Sequence, residues 1–406
     1  MSDLQKAWAR TRLGALPGET LVEYEEEEED EESNSISDLP ELPEHADDDS
    51  SSASSASSTG TVIPSPQQNL FARPQGVPRG RTFQSIPWTT YFERELFLHD
   101  KTSSSSPRIH AYLSSPVGKG PLFVMHHGAG SSGLSFAVVG QEMRKILSTA
   151  GIFSIDARGH GSTSSPEGQD LDLSLETLAN DLLAALQLTQ QEMKWPALPP
   201  IVLVGHSLGG AVVTELARSG KLGDALLGYV MLDVVEGSAM EALQHTHSYL
   251  STRPTGFQSI EAAIEWHVRT RAIRNAISAR TSVPSLLSLR ENEPGDARPW
   301  KWKTNLAATQ PFWESWFVGL SGKFLSARGG KLLLLVNTDR LDTELTIGQM
   351  QGKYNLQVFP EAGHFIHEDL PAKTAVSLVD FYHRNNRSAL VLPPKVSDLL
   401  KQGKKV

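Results

Sequence analysis

The chain has 406 residues, 39% of them hydrophobic, no cysteine and a formal net charge of −10. That length holds one large domain or two ordinary ones, and the lack of thiols excludes disulfides and cysteine-based metal sites, in keeping with a reducing compartment. The charge is local: residues 1–72 hold 17 of the 47 acidic side chains and 3 of the 37 basic ones, leaving 34 basic against 30 acidic in the rest. The negative total therefore does not argue for basic partners of the domain, and neither nucleic acid nor a membrane is expected to bind it.

The first 75 residues carry "EYEEEEEDEE" (Glu23–Glu32), "DDD" (Asp47–Asp49) and a serine-rich run, with no Lys or Arg from Gly14 to Ala72. So little apolar surface and so much like charge predict a disordered acidic tail. The N-terminus lacks the apolar stretch of a signal peptide and no run of 18 apolar residues occurs, which predicts a soluble cytoplasmic or nuclear protein. "FQSIPWTTYFERELFLHD" (Phe83–Asp100) reads as the entry to the domain and its first strand or two. Short β-rich runs follow at Pro121–His127, Ile152–Asp156, Ile201–His206 and Leu226–Asp233, separated by helical patterns such as Leu175–Gln190 and Ala211–Ser219. Strands alternating with helices predict an α/β fold, a mostly parallel central sheet with helices on both faces.

From residue 237 to 329 the alternation stops. This stretch is predicted to be an inserted helical lid, with a helix over Ser259–Arg280 and a core of Trp266, Trp300, Trp302, Phe312, Trp313, Trp316 and Phe317. Lys331–Asp339 and Tyr354–Pro360 restore the strands, and a last helix runs around Ala372–His383. The expected division is a tail (1–75), a sheet core in two parts (76–236 and 330–390) around the lid, and a C-terminal tail (391–406).

"VLVGHSLGGAVV" (Val202–Val213) places Gly205-His206-Ser207-Leu208-Gly209, a G-x-S-x-G pattern, between a strand and a helix. Small neighbours permit a strained turn that exposes the serine hydroxyl, and the helix N-terminus offers N–H groups to developing negative charge, so Ser207 is the candidate nucleophile. "HHGAG" (His126–Gly130) follows an earlier strand, where a second oxyanion donor is expected; Ala129 N–H and Leu208 N–H form the candidate pair. The adjacent histidines lack a matching carboxylate cluster and read as loop-shaping hydrogen bonders, with no metal expected. The base lies late in the chain, His364 in "EAGHFIHEDLP", with His367 as competitor. For the acid, Asp339 after the post-lid strand holds the more usual position and Asp233 the variant one, while Asp156 is expected to order loops near the serine.

Together these pieces resemble the α/β-hydrolase fold and, more closely, the protein phosphatase 2A methylesterase family. The likeness covers roughly residues 80–385 and rests on "SIPWTTYFE" (Ser85–Glu93), "GHSLGGA", "DVVEGSAMEAL" (Asp233–Leu243), "RPTGFQSIEAAIEW" (Arg253–Trp266), "FWESWFVGLSGKFLS" (Phe312–Ser326), "DRLDTELTIGQMQGKY" (Asp339–Tyr354) and "GHFIHED" (Gly363–Asp369). The resemblance implies a serine esterase that removes the methyl ester from the C-terminal leucine of the phosphatase catalytic subunit, without metal or organic cofactor. It also implies that the acid is the aspartate opening "DVVEG", Asp233, which reverses the positional preference. Substrate contacts are expected from Trp266, Arg269 and Arg274 in the lid and from Gln349 and Met350. A small-ester carboxylesterase or lipase, or a phosphatase-binding scaffold, are the alternatives.

Overall fold

The computed structural model describes residues 83–386 apart from 103–105, 167–170 and 291–296. The expected acidic tail (1–75) and C-terminal tail (391–406) lie outside the described residues. In chain order come β1 (Arg94–Leu98), β2 (Ile109–Ser114), β3 (Leu122–His126), α1 (Ala137–Ile146), β4 (Gly151–Ile155), α2 (Leu175–Glu192), β5 (Ile201–His206), α3 (Leu208–Ser219) and β6 (Leu226–Leu232). Next are α4 (Glu236–Thr252), α5 (Ile260–Arg269), α6 (Ala276–Ser282), a hairpin of β7 (Leu287–Leu289) and β8 (Trp300–Trp302), α7 (Trp313–Phe317) and α8 (Leu320–Ser326). The chain closes with β9 (Gly330–Leu335), α9 (Thr343–Met350), β10 (Asn355–Val358), α10 (Ile366–Asp369) and α11 (Pro371–Asn385).

Eight strands form one sheet in the order β1-β2-β4-β3-β5-β6-β9-β10. β2 runs antiparallel to both neighbours and every other pairing after β4 is parallel. Alternate side chains of a strand point to opposite faces, and here both faces are covered, which is why the central strands read as unbroken apolar runs. Val124, Leu203, Met231 and Leu333 pack with α2 and α3 on one face; Phe123, Val204, Val230 and Leu334 pack with α1 and α11 on the other. Burying each such side chain stabilises the fold by about 1.5–3 kcal/mol. β3 lies between β4 and β5, so the chain leaves it to one side and returns on the other. The connections after β3 and β5 therefore start side by side at the carboxyl edge of the sheet, at the point where the strand order reverses and a ligand site is favoured.

The segment between the adjacent strands β6 and β9 departs from the expected continuous helix. α5 ends at Arg269, Arg271 takes a left-handed φ of +60°, and α6 begins after Asn275, whose side chain accepts the N–H groups of Ile277 and Ser278. A capping asparagine restarts the helix there, a signal that an apolar spacing pattern alone does not reveal. The aromatics also divide. Trp266, Trp300 and Trp302 pack around Phe257, Ile264 and Val283, whereas Phe312, Trp313, Trp316 and Phe317 join the main core beside α3. Trp316 donates its indole N–H to Leu173 O at 2.7 Å, which satisfies the polar atom of a fully buried ring.

Candidate active site

The turn from β5 to α3 is dictated by sterics. Ser207 sits at φ +51°, ψ −122°, outside the ordinary wells, a conformation worth roughly 1–3 kcal/mol of strain. A Cβ at Gly205 would fall 2.0 Å from Gly209 O, and one at Gly209 would fall 2.0 Å from His126 O. Both glycines of the motif are thus required by the close approach of backbone, and the β3 loop is pressed against the first turn of α3. Leu208, first in that helix, has an N–H with no intrahelical acceptor.

The β3 loop is held by its histidines. His126 Nδ1–H donates to His127 O at 2.9 Å, and His127 Nδ1–H donates to Gly128 O at 2.7 Å while its Nε2 accepts Ala157 N–H at 3.0 Å. His160 Nε2 accepts Gly130 N–H at 2.9 Å. Ala129 is therefore flanked by fixed groups, its neighbours' Gly128 O and Gly130 N both engaged. Asp156 ties the surrounding loops by accepting Gly133 N–H at 2.7 Å and Ser162 N–H at 2.8 Å, with His110 Nδ1 at 2.7 Å. Burial acts to raise the Asp156 carboxyl, but the His110 hydrogen bond and charge and the other donors bring it below its usual range. Burial drives His126 down to about 4 and His127 and His160 down as well, so these rings are neutral hydrogen bonders. Among the described residues no group of three or more His, Asp or Glu side chains is arranged to hold a metal ion.

Asp233 follows β6 directly, also at positive φ (+50°), and its side chain is wholly buried. His364 Nδ1–H donates to Asp233 Oδ2 at 2.8 Å, Val336 N–H donates to Oδ1 at 3.1 Å, and Arg340 Nη1 donates to Oδ2 at 2.9 Å. Burial would raise this carboxyl, yet the hydrogen bond and charge of His364, the charge of Arg340 and the Val336 N–H hold it below its usual value. Asp339 instead lies exposed in the turn after β9. His367 is fully buried, pushed down to about 3 by desolvation, and stacks on Phe136 at 4.3 Å. His206 Nε2–H donates to His364 O at 2.9 Å, fixing the loop that carries the half-exposed His364 ring. Ser207 Oγ makes no hydrogen bond to His364 among the described residues; such contacts commonly tighten only around bound substrate.

Two cavities, of about 560 and 650 Å³, meet at this point and share Ala129, Ser207, Leu306 and His364 as walls. The smaller is completed by Leu208, Asp233, Trp313, Phe317 and Arg340, the larger by Arg253, Trp266, His267, Arg271 and Trp302. Of the expected substrate contacts, Trp266 lines a cavity, and the others line neither of these two. Arg269 points to solvent, 76% exposed and paired with Glu265 at 2.5 Å. Arg274 braces the His364 loop: its N–H donates to Asp369 Oδ1 at 2.7 Å, its guanidinium donates to Glu361 O, and Gly363 N–H donates to Asp369 Oδ2 at 2.6 Å. Gln349 and Met350 are exposed on α9, Met350 to 80%. Sequence reasoning missed Arg340, although "DRLD" set a cation immediately beside the weighed Asp339.

Residues 123–376 match the model of the Alpha/beta hydrolase family. A crystal structure of E-2-(acetamidomethylene)succinate hydrolase superposes with a TM-score of 0.52 at 21% identity, covering 68% of this chain and 96% of that one, a likeness of fold. Protein phosphatase methylesterase 1 of Gibberella zeae is 68% identical and that of Neurospora crassa 61% identical, each aligned over 100% of both chains. The protein of that name from Schizosaccharomyces pombe is 46% identical over 76% of this chain and 87% of its own length. Likeness of this degree along whole chains, on a hydrolase sheet that carries a strained serine turn, means that the chain belongs to the protein phosphatase methylesterase 1 family.

Proposed function

We propose that this protein is a serine carboxylesterase that demethylates the C-terminal leucine methyl ester of the protein phosphatase 2A catalytic subunit. The observation that carries the chemistry is the 2.8 Å contact of His364 with the buried Asp233, beside a serine held at a strained turn in the same cavity. Family membership supports a protein phosphatase as substrate.

In this reading Asp233 holds the His364 ring with Nε2 directed toward Ser207. Nε2 takes the Ser207 proton as Oγ bonds to the ester carbonyl carbon, and the N–H groups of Ala129 and Leu208 receive the oxyanion. Collapse breaks the carbon–methoxy bond, and the proton on His364 passes to the departing oxygen to give methanol. Water then adds to the acyl-enzyme with His364 again as base, releasing the free carboxylate and restoring the serine. Methanol needs little room, so the two cavities suit the two arms of the acyl group, the leucine side chain and the peptide that precedes it. No described helix is long and apolar enough to cross a membrane.

The test is methanol release from methylated phosphatase catalytic subunit, with Ser207→Ala as the control. Wild-type protein should release methanol and the variant should lose about a million-fold in turnover. Release from a small neutral ester but none from the phosphatase would leave a general carboxylesterase.

A further inference from the structure

Three donors converge on Asp233, and two of them share one oxygen. Holding a catalytic histidine takes one carboxylate oxygen and one hydrogen bond; here Oδ2 accepts both His364 Nδ1–H at 2.8 Å and Arg340 Nη1 at 2.9 Å, while Oδ1 is held by Val336 N–H. We propose that Arg340 is a positioning residue that locks the Asp233 carboxylate in the plane His364 requires and draws off part of its charge. The proposal rests on the reading of Asp233 and His364 as the acid–base pair.

The geometry gives Arg340 two effects. With Oδ1 pinned by Val336, the first residue past β9, and Oδ2 pinned from the turn that follows, the carboxylate cannot rotate about its Cβ–Cγ bond, so His364 meets a fixed acceptor. A guanidinium also keeps its charge throughout the pH range of activity. It stands on the same oxygen as the imidazole, and the negative charge that would stabilise a protonated His364 is shared with it.

Other titratable groups also face His364 across the two cavities. His206 on β5, with ring centroids 4.6 Å apart, and His367 on α10 are both kept neutral by burial. Ser207, Leu208 and Ala129 present neutral atoms, and Glu241 and His245 of α4 stand on the wall of the smaller cavity. Arg271, Arg253 and Glu368 line the larger cavity, the Glu368 carboxyl pushed up by burial, and Arg274 and Asp369 pair behind Gly363. Arg340 is the cation bonded to the carboxylate itself, and about a third of its side chain reaches solvent beside Ser207.

A pH profile of kcat/KM on a small neutral ester tests this, because such a substrate makes no demand on protein docking. Arg340→Gln keeps a donor and removes the charge: its acid limb should move to higher pH by about half to one unit, with the alkaline plateau kept within about threefold. Arg340→Lys keeps the charge and should leave the limb in place. Arg340→Met removes both and should move the limb and lower the plateau by about tenfold. Melting curves of all three establish that they are folded. If each melts lower while the acid limb stays at its wild-type position, Arg340 only anchors the turn after β9 and the proposal is overturned. Asp233→Asn in the same assay separates the premises: full activity there would overturn the acid–base pair itself, whatever Arg340 does.

Discussion

At Asp233 a positive φ, a fully buried carboxylate and three donors meet within one residue of a strand end. That placement makes the choice between two aspartates testable. Asp233→Asn should reduce turnover by about four orders of magnitude, because the amide presents the wrong partner to His364 Nδ1. Asp339→Asn, in an exposed turn, should change turnover by less than about twofold, and steady-state kinetics on one ester with both folded variants would rank them. The opposite ranking would move the acid to Asp339. Position along the chain pointed to Asp339 and only longer strings pointed to Asp233. A residue's distance from a strand end does not specify which way a buried side chain turns, and that is what separates the two.

Among the elements, α10 and α6 enclose another buried carboxyl. Glu368 is 1% exposed and accepts Ser282 Oγ–H at 2.5 Å. Burial raises it well above the ordinary value of 4.5 and the neighbouring Asp369 adds to the rise, against the lowering effect of Ser282. The folded chain therefore keeps a proton that the unfolded chain releases once the pH passes about 4.5, and stability falls as pH climbs from there toward the folded value. Glu368→Gln carries no such proton. It should melt higher than wild type at pH 7, by about 2–4 °C for each kcal/mol regained, and the gain should disappear below about pH 4.5. Scanning calorimetry at both pH values would decide it; an equal or lower melting point at pH 7 would show that the carboxyl is not held neutral.

Elements differ in how plainly their residues announce them. The buried parallel strands are legible because two covered faces leave no polar positions, and the serine turn because its glycines answer to backbone collisions. β2 is not, since His110 and Ser114 interrupt its apolar pattern although all six residues are buried. The break between α5 and α6 and the β7–β8 hairpin depend on a cap and on cross-strand partners distant in sequence. Arg340 acquires its role only when β6 and β9 come to lie side by side.

Across the whole molecule, charge and chemistry are set apart along the chain. The acidic first 75 residues have too little apolar surface to add to a core, so removing them should leave the melting temperature within about 2 °C and small-ester hydrolysis unchanged; a larger drop on truncation would contradict this. The two cavities that meet at Ser207 carry a different consequence, one of handedness. If the carbonyl oxygen is pinned by two N–H groups and each large arm of the α-carbon has its own chamber, one beside Trp313 and Phe317 and one beside Trp266 and Trp302, the hydrogen must take the remaining direction. The mirror image can satisfy any two of these demands and fails the third. A peptide ending in D-leucine methyl ester should react at least about 100-fold more slowly than its L epimer, the scale of loss that an ångström of misplacement at the reacting carbon produces. Equal rates for the two epimers would mean that one chamber stands outside the acyl group's path. The site would then be a chiral surface by composition alone, blind to the configuration of what it cleaves.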